Sequence, residues 1–165
     1  MRRLFGKFAR ARSGMAAVEF ALAAPILVAI VAGIGDFALA FCDQTQLADG
    51  VAVGVGYAFS QGQSLVGTTT KVSTSDVQSK AAGAINLSGA QISVTPPSLY
   101  CVAAGNGTPP IATLTVAAAG STCPNGSPPG TFMFVTATYR YVPLMPFYST
   151  VATTNLSETG IVRLY

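Results

Sequence analysis

The distribution of apolar residues separates an N-terminal segment from the rest of the chain. Residues 20–35 form an unbroken uncharged run, FALAAPILVAIVAGIG, and Asp36 divides it from a second apolar stretch that ends at Cys42. Counted from Met15 to Cys42, the segment has 28 residues. As an α-helix it would be about 42 Å long, which exceeds the ~30 Å hydrocarbon core of a bilayer. The pattern predicts one membrane-spanning helix over residues 15–42.

The helical pattern continues beyond the span and then weakens. Between residues 43 and 61, apolar side chains recur at roughly helical spacing, which predicts an amphipathic helical stem. The glycines in this stretch each weaken a helix by up to about 1 kcal/mol relative to alanine. Residues 62–75 are rich in Gly, Ser and Thr and are expected to form a linker. The apolar positions of the stem are Leu47, Val51, Val55 and Phe59.

Residues 76–165 are expected to form a separate folded head. A second helix is predicted over residues 76–87, with Thr74 or Ser75 as its N-cap. The following chain is rich in Val, Thr, Ile and aromatic residues between Pro- and Gly-containing turns, which is typical of strands. The fold class is therefore α+β, a long N-terminal helix followed by a small antiparallel sheet packed on helices. Strands are predicted at 91–95, 99–103, 111–118, 131–142 and 151–164, the fourth being central and the last having a candidate bulge at Gly160.

A proline-broken loop at residues 143–148, PLMPFY, carries large apolar side chains between two predicted strands. Two interpretations stay open. The loop folds back onto the core, or it forms a contact patch for a neighbouring subunit, since exposed apolar patches mark interfaces.

Charge is scarce and unevenly placed. Charged residues make up 9% of the chain, against about 25% in ordinary soluble domains. Five of the nine basic residues precede Gly14, which leaves four basic residues and six acids, a net charge of −2, in the remainder. Those four are scattered, and this argues against a nucleic-acid interface. Under the positive-inside rule, residues 1–14 stay in the cytoplasm and the head lies outside the membrane.

The composition gives no support for an enzyme. The chain has no histidine, which removes the commonest general base and transition-metal ligand. No nucleotide-binding loop, nucleophile elbow or CxxC pair is present. We expect no catalytic residue, no metal and no cofactor.

Cys101 and Cys123 flank the third predicted strand and are 22 positions apart. Outside the cytoplasm they can oxidise to a disulfide; the alternative is two separate buried thiols. Cys42, at the outer end of the span, is either free or crosslinked to another chain.

The span contains several residues with distinct expected roles. Phe20 begins the uncharged run, and Pro25 lacks an amide hydrogen and predicts a local kink. Small residues such as Gly33 would let another helix approach closely, or simply reflect a small-residue-rich span. Glu19 and Asp36 are expected near opposite membrane interfaces, where water and headgroups reach them.

The basic leader before Gly14 allows three interpretations. A secretory signal peptide would be cut after the apolar region, for example near residues 38–40, ALA. A signal anchor would remain uncut. A prepilin-type leader would be cut before the apolar stretch, between Gly14 and Met15. Only the third accounts for the glycine together with Glu19, since acidic residues in membrane segments cost roughly 2.5–3.5 kcal/mol at the helix centre and are functional by default.

Residues 13–41 resemble the N-terminus of the TadE-like family of pilus-assembly proteins. The shared elements are AVEFAL at residues 17–22, APIL at 24–27 and GIGDF at 33–37. Members of this family resemble minor pilins or pseudopilins of tight-adherence (Flp-type) systems. The resemblance implies a pilin-like fold and cleavage by a prepilin peptidase between Gly14 and Met15.

By this resemblance, Glu19 becomes the fifth residue of the mature chain. Its carboxylate would pair with the new α-amino group of Met15, on its own chain or on a neighbour, and would set the register between subunits. The expected partners are the prepilin peptidase, other pilus subunits, assembly-platform proteins and membrane lipid. The expected location is the bacterial inner membrane, or the pilus itself. The alternative is an unrelated single-pass membrane protein with an extracytoplasmic binding domain.

Overall fold

The computed structural model describes residues 12–66, 71–103, 113–146 and 148–165. Most of the predicted leader and the middle of the predicted linker lie outside these ranges. The elements are three helices and five strands among the described residues, in an α+β arrangement that confirms the predicted fold class. They are α1 Arg12–Ser64, α2 Thr74–Ala84, β1 Gln91–Val94, β2 Ser98–Ala103, β3 Thr113–Val116, β4 Gly130–Arg140, α3 Tyr148–Val151 and β5 Asn155–Arg163.

Some predicted boundaries were wrong. Helix α1 runs to Ser64 rather than ending at residue 61. Helix α2 is capped by Ser73, not by Thr74 or Ser75, because the Ser73 backbone is extended and its side chain accepts a hydrogen bond from the Asp76 amide at 3.4 Å. The same helix ends at Ala84 rather than 87. The predicted last strand begins later, since α3 occupies its first residue.

The described chain divides into two compact units. The first comprises the residues up to Ala40 together with Val142–Ala152, and the second comprises Phe41–Tyr141 together with Thr153–Tyr165. Helix α1 contributes to both. The first is called the N-terminal unit below, and the second is called the head unit.

The sheet of the head unit is built around β4, as the sequence predicted. Strand β5 pairs antiparallel with one edge of β4, and β1 and β2 pair antiparallel with β4 at successive positions. Strands β1 and β2 pair with successive stretches of β4, on the edge that β5 does not occupy. They are therefore two parts of one strand, which is interrupted at Pro96 and Pro97. Strand β3 extends the sheet beyond β2.

Gly160 forms no bulge, and that prediction was wrong. The register between β4 and β5 is unbroken across the glycine, where Val135 lies opposite Gly160. A Cβ at position 160 would come within 2.6 Å of methyl carbons of both Val51 and Val55 on α1. Glycine is required there by the close approach of the helix to the sheet.

The core of the head unit lies between α1, α2 and one face of the sheet. Met133 and Val135 of β4 and Leu47 of α1 are fully buried. At Gly54 of α1, a Cβ would lie 3.0 Å from the Cβ of Ala81 on α2 and 3.2 Å from Val135. Glycine lowers the intrinsic stability of the helix at this position, but it allows the three elements to pack closely.

A disulfide joins Cys101 of β2 to Cys123, with Cα atoms 5.5 Å apart. The loop that it closes spans 22 positions, and in the chain-entropy model such a crosslink stabilises a fold by about 3 kcal/mol. We therefore expect the Cys101→Ala/Cys123→Ala double variant to unfold at lower denaturant concentration than the native protein. Cys42→Ala is the matched control, because Cys42 is a free, exposed cysteine. Equal midpoints for the double variant and the native chain would contradict this prediction.

Candidate assembly site on the N-terminal helix

Apart from Glu19, the N-terminal part of α1 is apolar on all sides, and it is exposed. Every side chain from residue 14 to residue 23 is exposed, and Phe20 and Leu22 are 68% and 73% accessible. A helix that is hydrophobic all round is normally buried in a protein or in a membrane. In length and composition α1 is able to cross a membrane.

The two residues of the predicted cleavage site lie at the start of this exposed helix. A Cβ at Gly14 would have no atom within 4 Å, so packing within the described chain does not require glycine there. Met15 is 71% exposed, and Glu19, also exposed, follows it by four residues. Residues at i and i+4 share a helix face, and helical side chains lean toward the N-terminus. The Glu19 carboxylate is therefore placed on the face of Met15 and directed toward its end of the helix.

The predicted features in the middle of the span are compatible with a single long helix. Helix α1 continues through Pro25. Gly33 and Gly35 both have open space where a Cβ would be, with no atom within 4 Å. This leaves room on the helix surface for the close approach of another helix.

Asp36 has a protein environment that the sequence did not predict. The residue was expected to be solvated at a membrane interface, but it is fully buried. Its Oδ1 accepts a hydrogen bond from the Leu144 amide at 2.8 Å, and its Oδ2 accepts one from the Met145 amide at 2.7 Å. Hydrogen bonds to an ionised carboxylate are roughly twice as strong as neutral ones. We call this arrangement the Asp36 clasp.

Further contacts of the same loop are an aromatic contact with α1 and backbone hydrogen bonds within the loop and α3. The rings of Phe37 and Tyr148 lie 5.0 Å apart, centroid to centroid. The Tyr148 amide donates to the Met145 carbonyl at 3.2 Å, and the Ala152 amide donates to the Tyr148 carbonyl at 2.9 Å. Leu144, Met145 and Tyr148 of this loop thus contact α1 within the N-terminal unit.

Sequence reasoning missed the clasp because its donors are backbone amides, which carry no residue signature. The available signals were indirect. Asp36 is the single charge in a long apolar stretch, and the loop at residues 143–148 also carries large apolar side chains. Two such stretches in one chain are candidates for packing together.

The head unit has surface clefts, three of which have volumes of about 210, 340 and 430 Å³. Among the described residues that line these three, there is no acidic side chain and no cysteine. Among the residues that the structure describes, no group of three or more His, Cys, Asp or Glu side chains is placed to hold a metal ion.

Comparison with known proteins identifies the N-terminal segment. The family model of the TadE-like protein matches residues 14–56, which include Glu19, Pro25 and Asp36. No curated protein matches the chain, and no solved structure does. Residues 14–56, called the TadE-like segment below, are thus similar to TadE-like proteins, and the family predicted from the N-terminal motif is the one whose model matches this segment.

Proposed function

We propose that this protein is a non-enzymatic minor pilin or pseudopilin that is needed to assemble a tight-adherence (Flp-type) pilus. The TadE-like segment implies involvement in such pilus systems. The observation that supports the role of a pilus subunit is the exposed apolar helix with Glu19 one turn after Met15. A fully exposed apolar helix needs a membrane or other helices to cover it, and a pilus subunit meets both in turn.

The first step in the proposal is hydrolysis of the peptide bond between Gly14 and Met15 by a prepilin peptidase. Water adds across the bond, so that Gly14 leaves as a carboxylate and Met15 gains a free amine, which is protonated at neutral pH. The leader takes five basic residues with it. The helix thereby loses the charges that hold its N-terminus on the cytoplasmic side.

The second step is helix–helix packing through residues 15–60. The Glu19 carboxylate accepts a hydrogen bond from the Met15 ammonium of its own or a neighbouring chain. Because the net stabilisation of a buried ion pair is small after desolvation, the pair serves mainly to set the register between subunits. The open surface at Gly33 and Gly35 allows close helix contact.

The proposed location is the bacterial inner membrane, with the N-terminus in the cytoplasm and the head outside, before entry into the pilus. The basic residues before Gly14 support this orientation. The bond between Cys101 and Cys123 also supports it, because disulfides persist in oxidising compartments. Lipid, the peptidase, other pilus subunits and assembly-platform proteins are the proposed partners.

Mass spectrometry of the purified protein tests the processing step. We expect a mature chain that begins at Met15, and we expect Gly14→Leu to retain residues 1–14, because the larger side chain would obstruct the peptidase at the bond. Gly56→Leu is the matched control, since Gly56 is also an exposed glycine of α1 with open space around it. It should be processed normally. A native protein that keeps residues 1–14 in cells with normal pili would favour the alternative, a single-pass membrane protein unrelated to pili.

A further inference from the structure

The position of Asp36 along α1 places it just inside the outer boundary of a bilayer core. If Glu19 marks the cytoplasmic boundary of the hydrocarbon core, Asp36 lies about 26 Å further along the helix at ~1.5 Å per residue. The core is ~30 Å thick, and its outer boundary therefore lies near Leu39. Any tilt of the helix moves that boundary still further along the chain. The next charged residue is Asp43.

The Asp36 clasp fixes the loop at the same level. A carboxylate that faced lipid at this depth would be costly, and here both of its oxygens accept hydrogen bonds from the amides of Leu144 and Met145. Since the two amides lie within 2.8 Å of the carboxylate, the loop has to lie at the depth of Asp36. The depth of Asp36 in the membrane therefore also sets the depth of the loop.

The surface of that loop is suited to lipid. Val142, Leu144 and Val151 are 77%, 77% and 73% exposed. Residues 141–157 carry no charge. In the same unit, Phe37 and Leu39 of α1 are also about half exposed.

We propose that residues 142–146 and 148–151 form a second membrane-contacting segment, inserted into the outer leaflet with Val142, Leu144 and Val151 against lipid acyl chains and with the Asp36 clasp holding it to α1. The inference rests on the proposed function in one respect, that α1 spans the membrane. Lipid acyl chains are the proposed contact because the loop lies at the same depth as the part of α1 that they surround. The chain then contacts the bilayer at two places far apart in sequence.

Site-specific fluorescence of the full chain in phosphatidylcholine vesicles tests this proposal. In a Cys42→Ser background, single cysteines at Leu144→Cys, Leu27→Cys or Val116→Cys are labelled with an environment-sensitive dye; Cys101 and Cys123 are bonded to each other and do not react. Leu27 reports on the middle of the span. Val116 is the matched control, an apolar side chain of the head unit that is 80% exposed. Each label is then quenched by doxyl-labelled acyl chains or by aqueous iodide.

We expect the dyes at positions 144 and 27 to lose most of their fluorescence to the doxyl lipid and little to iodide, with the reverse at position 116. Adding Asp36→Ala should shift the dye at position 144 toward quenching by iodide, because the loop is released, and leave the dye at position 27 unchanged. Rescue by Asp36→Glu would show that a carboxylate is needed for the clasp.

The other outcomes are distinguishable. Iodide quenching at 144 together with lipid quenching at 27 would overturn the inference and leave the membrane span standing. A dye at 144 shielded from both quenchers would mean that another protein chain covers the loop, which also overturns the inference. Iodide quenching at both positions would show that α1 does not span the bilayer, and the proposed topology would fail with it.

Discussion

Replacing Glu19 with glutamine is expected to leave cleavage after Gly14 intact and to remove most of the protein from assembled pili. Glutamine keeps the length and polarity of the side chain but has no charge to pair with the Met15 ammonium. The intact pair adds little net stability, but removing its carboxylate leaves the buried Met15 ammonium without a charge-assisted hydrogen bond, which costs about 1.5–3 kcal/mol. At about 1.4 kcal/mol per tenfold change, its loss would lower incorporation roughly ten- to a hundredfold. Glu19→Val should have at least as large an effect.

Quantitative immunoblots of sheared pili and of membranes measure this outcome, with mass spectrometry of the N-terminus to verify processing. Asp49→Asn is the matched control, because it removes one exposed acid from the same helix and should leave incorporation unchanged. Normal amounts of Glu19→Gln in the pilus fraction would refute the proposed role of Glu19. A variant that is absent from the membrane as well would show that the residue acts before assembly.

Replacing Asp36 with alanine is expected to release the loop at residues 143–146 from α1. The substitution leaves the amides of Leu144 and Met145 without the acceptor that they have in the native fold. A buried donor left unsatisfied costs about 1–3 kcal/mol. At about 1.4 kcal/mol per tenfold change, local opening becomes roughly 5- to 140-fold more frequent for each lost bond.

Amide hydrogen exchange of the full chain in detergent or nanodiscs measures this release at the level of single peptides. Exchange should accelerate in the peptide that contains Leu144 and Met145 and should stay slow in β4 and β5, which belong to the head unit. Asp49→Ala serves again as the control on the same helix. Unchanged protection of residues 144 and 145 in Asp36→Ala would show that the clasp does not hold the loop.

The sequence was most informative where a structural property is local. An uncharged run of the right length predicts a membrane helix because a bilayer imposes a fixed thickness. Strand residues in β4 could be recognised because β-branched and aromatic residues between turn residues favour strands. The capping serine of α2 was misplaced by one or two positions, since neighbouring Ser and Thr residues compete for the role and only the backbone conformation selects Ser73.

The glycines show where local reasoning fails. Gly54 was expected to weaken the stem, and Gly160 was expected to make a bulge. Both are instead positions where another element comes too close for a side chain, Ala81 and Val135 in one case and the two valines of α1 in the other. Helix propensity cannot reveal this, because the contacting atoms belong to distant parts of the chain.

By itself, the sequence predicted a helix long and apolar enough to span a membrane, the α+β class and the TadE-like segment, and it nominated Gly14, Met15 and Glu19 as candidate residues. All of these depend on neighbouring residues along one helix or strand. Only the tertiary structure decided the surroundings of Asp36. Its hydrogen-bond donors lie 108 and 109 positions away. They are backbone amides, which every residue except proline has, and so only the fold selects which two of them meet the carboxylate.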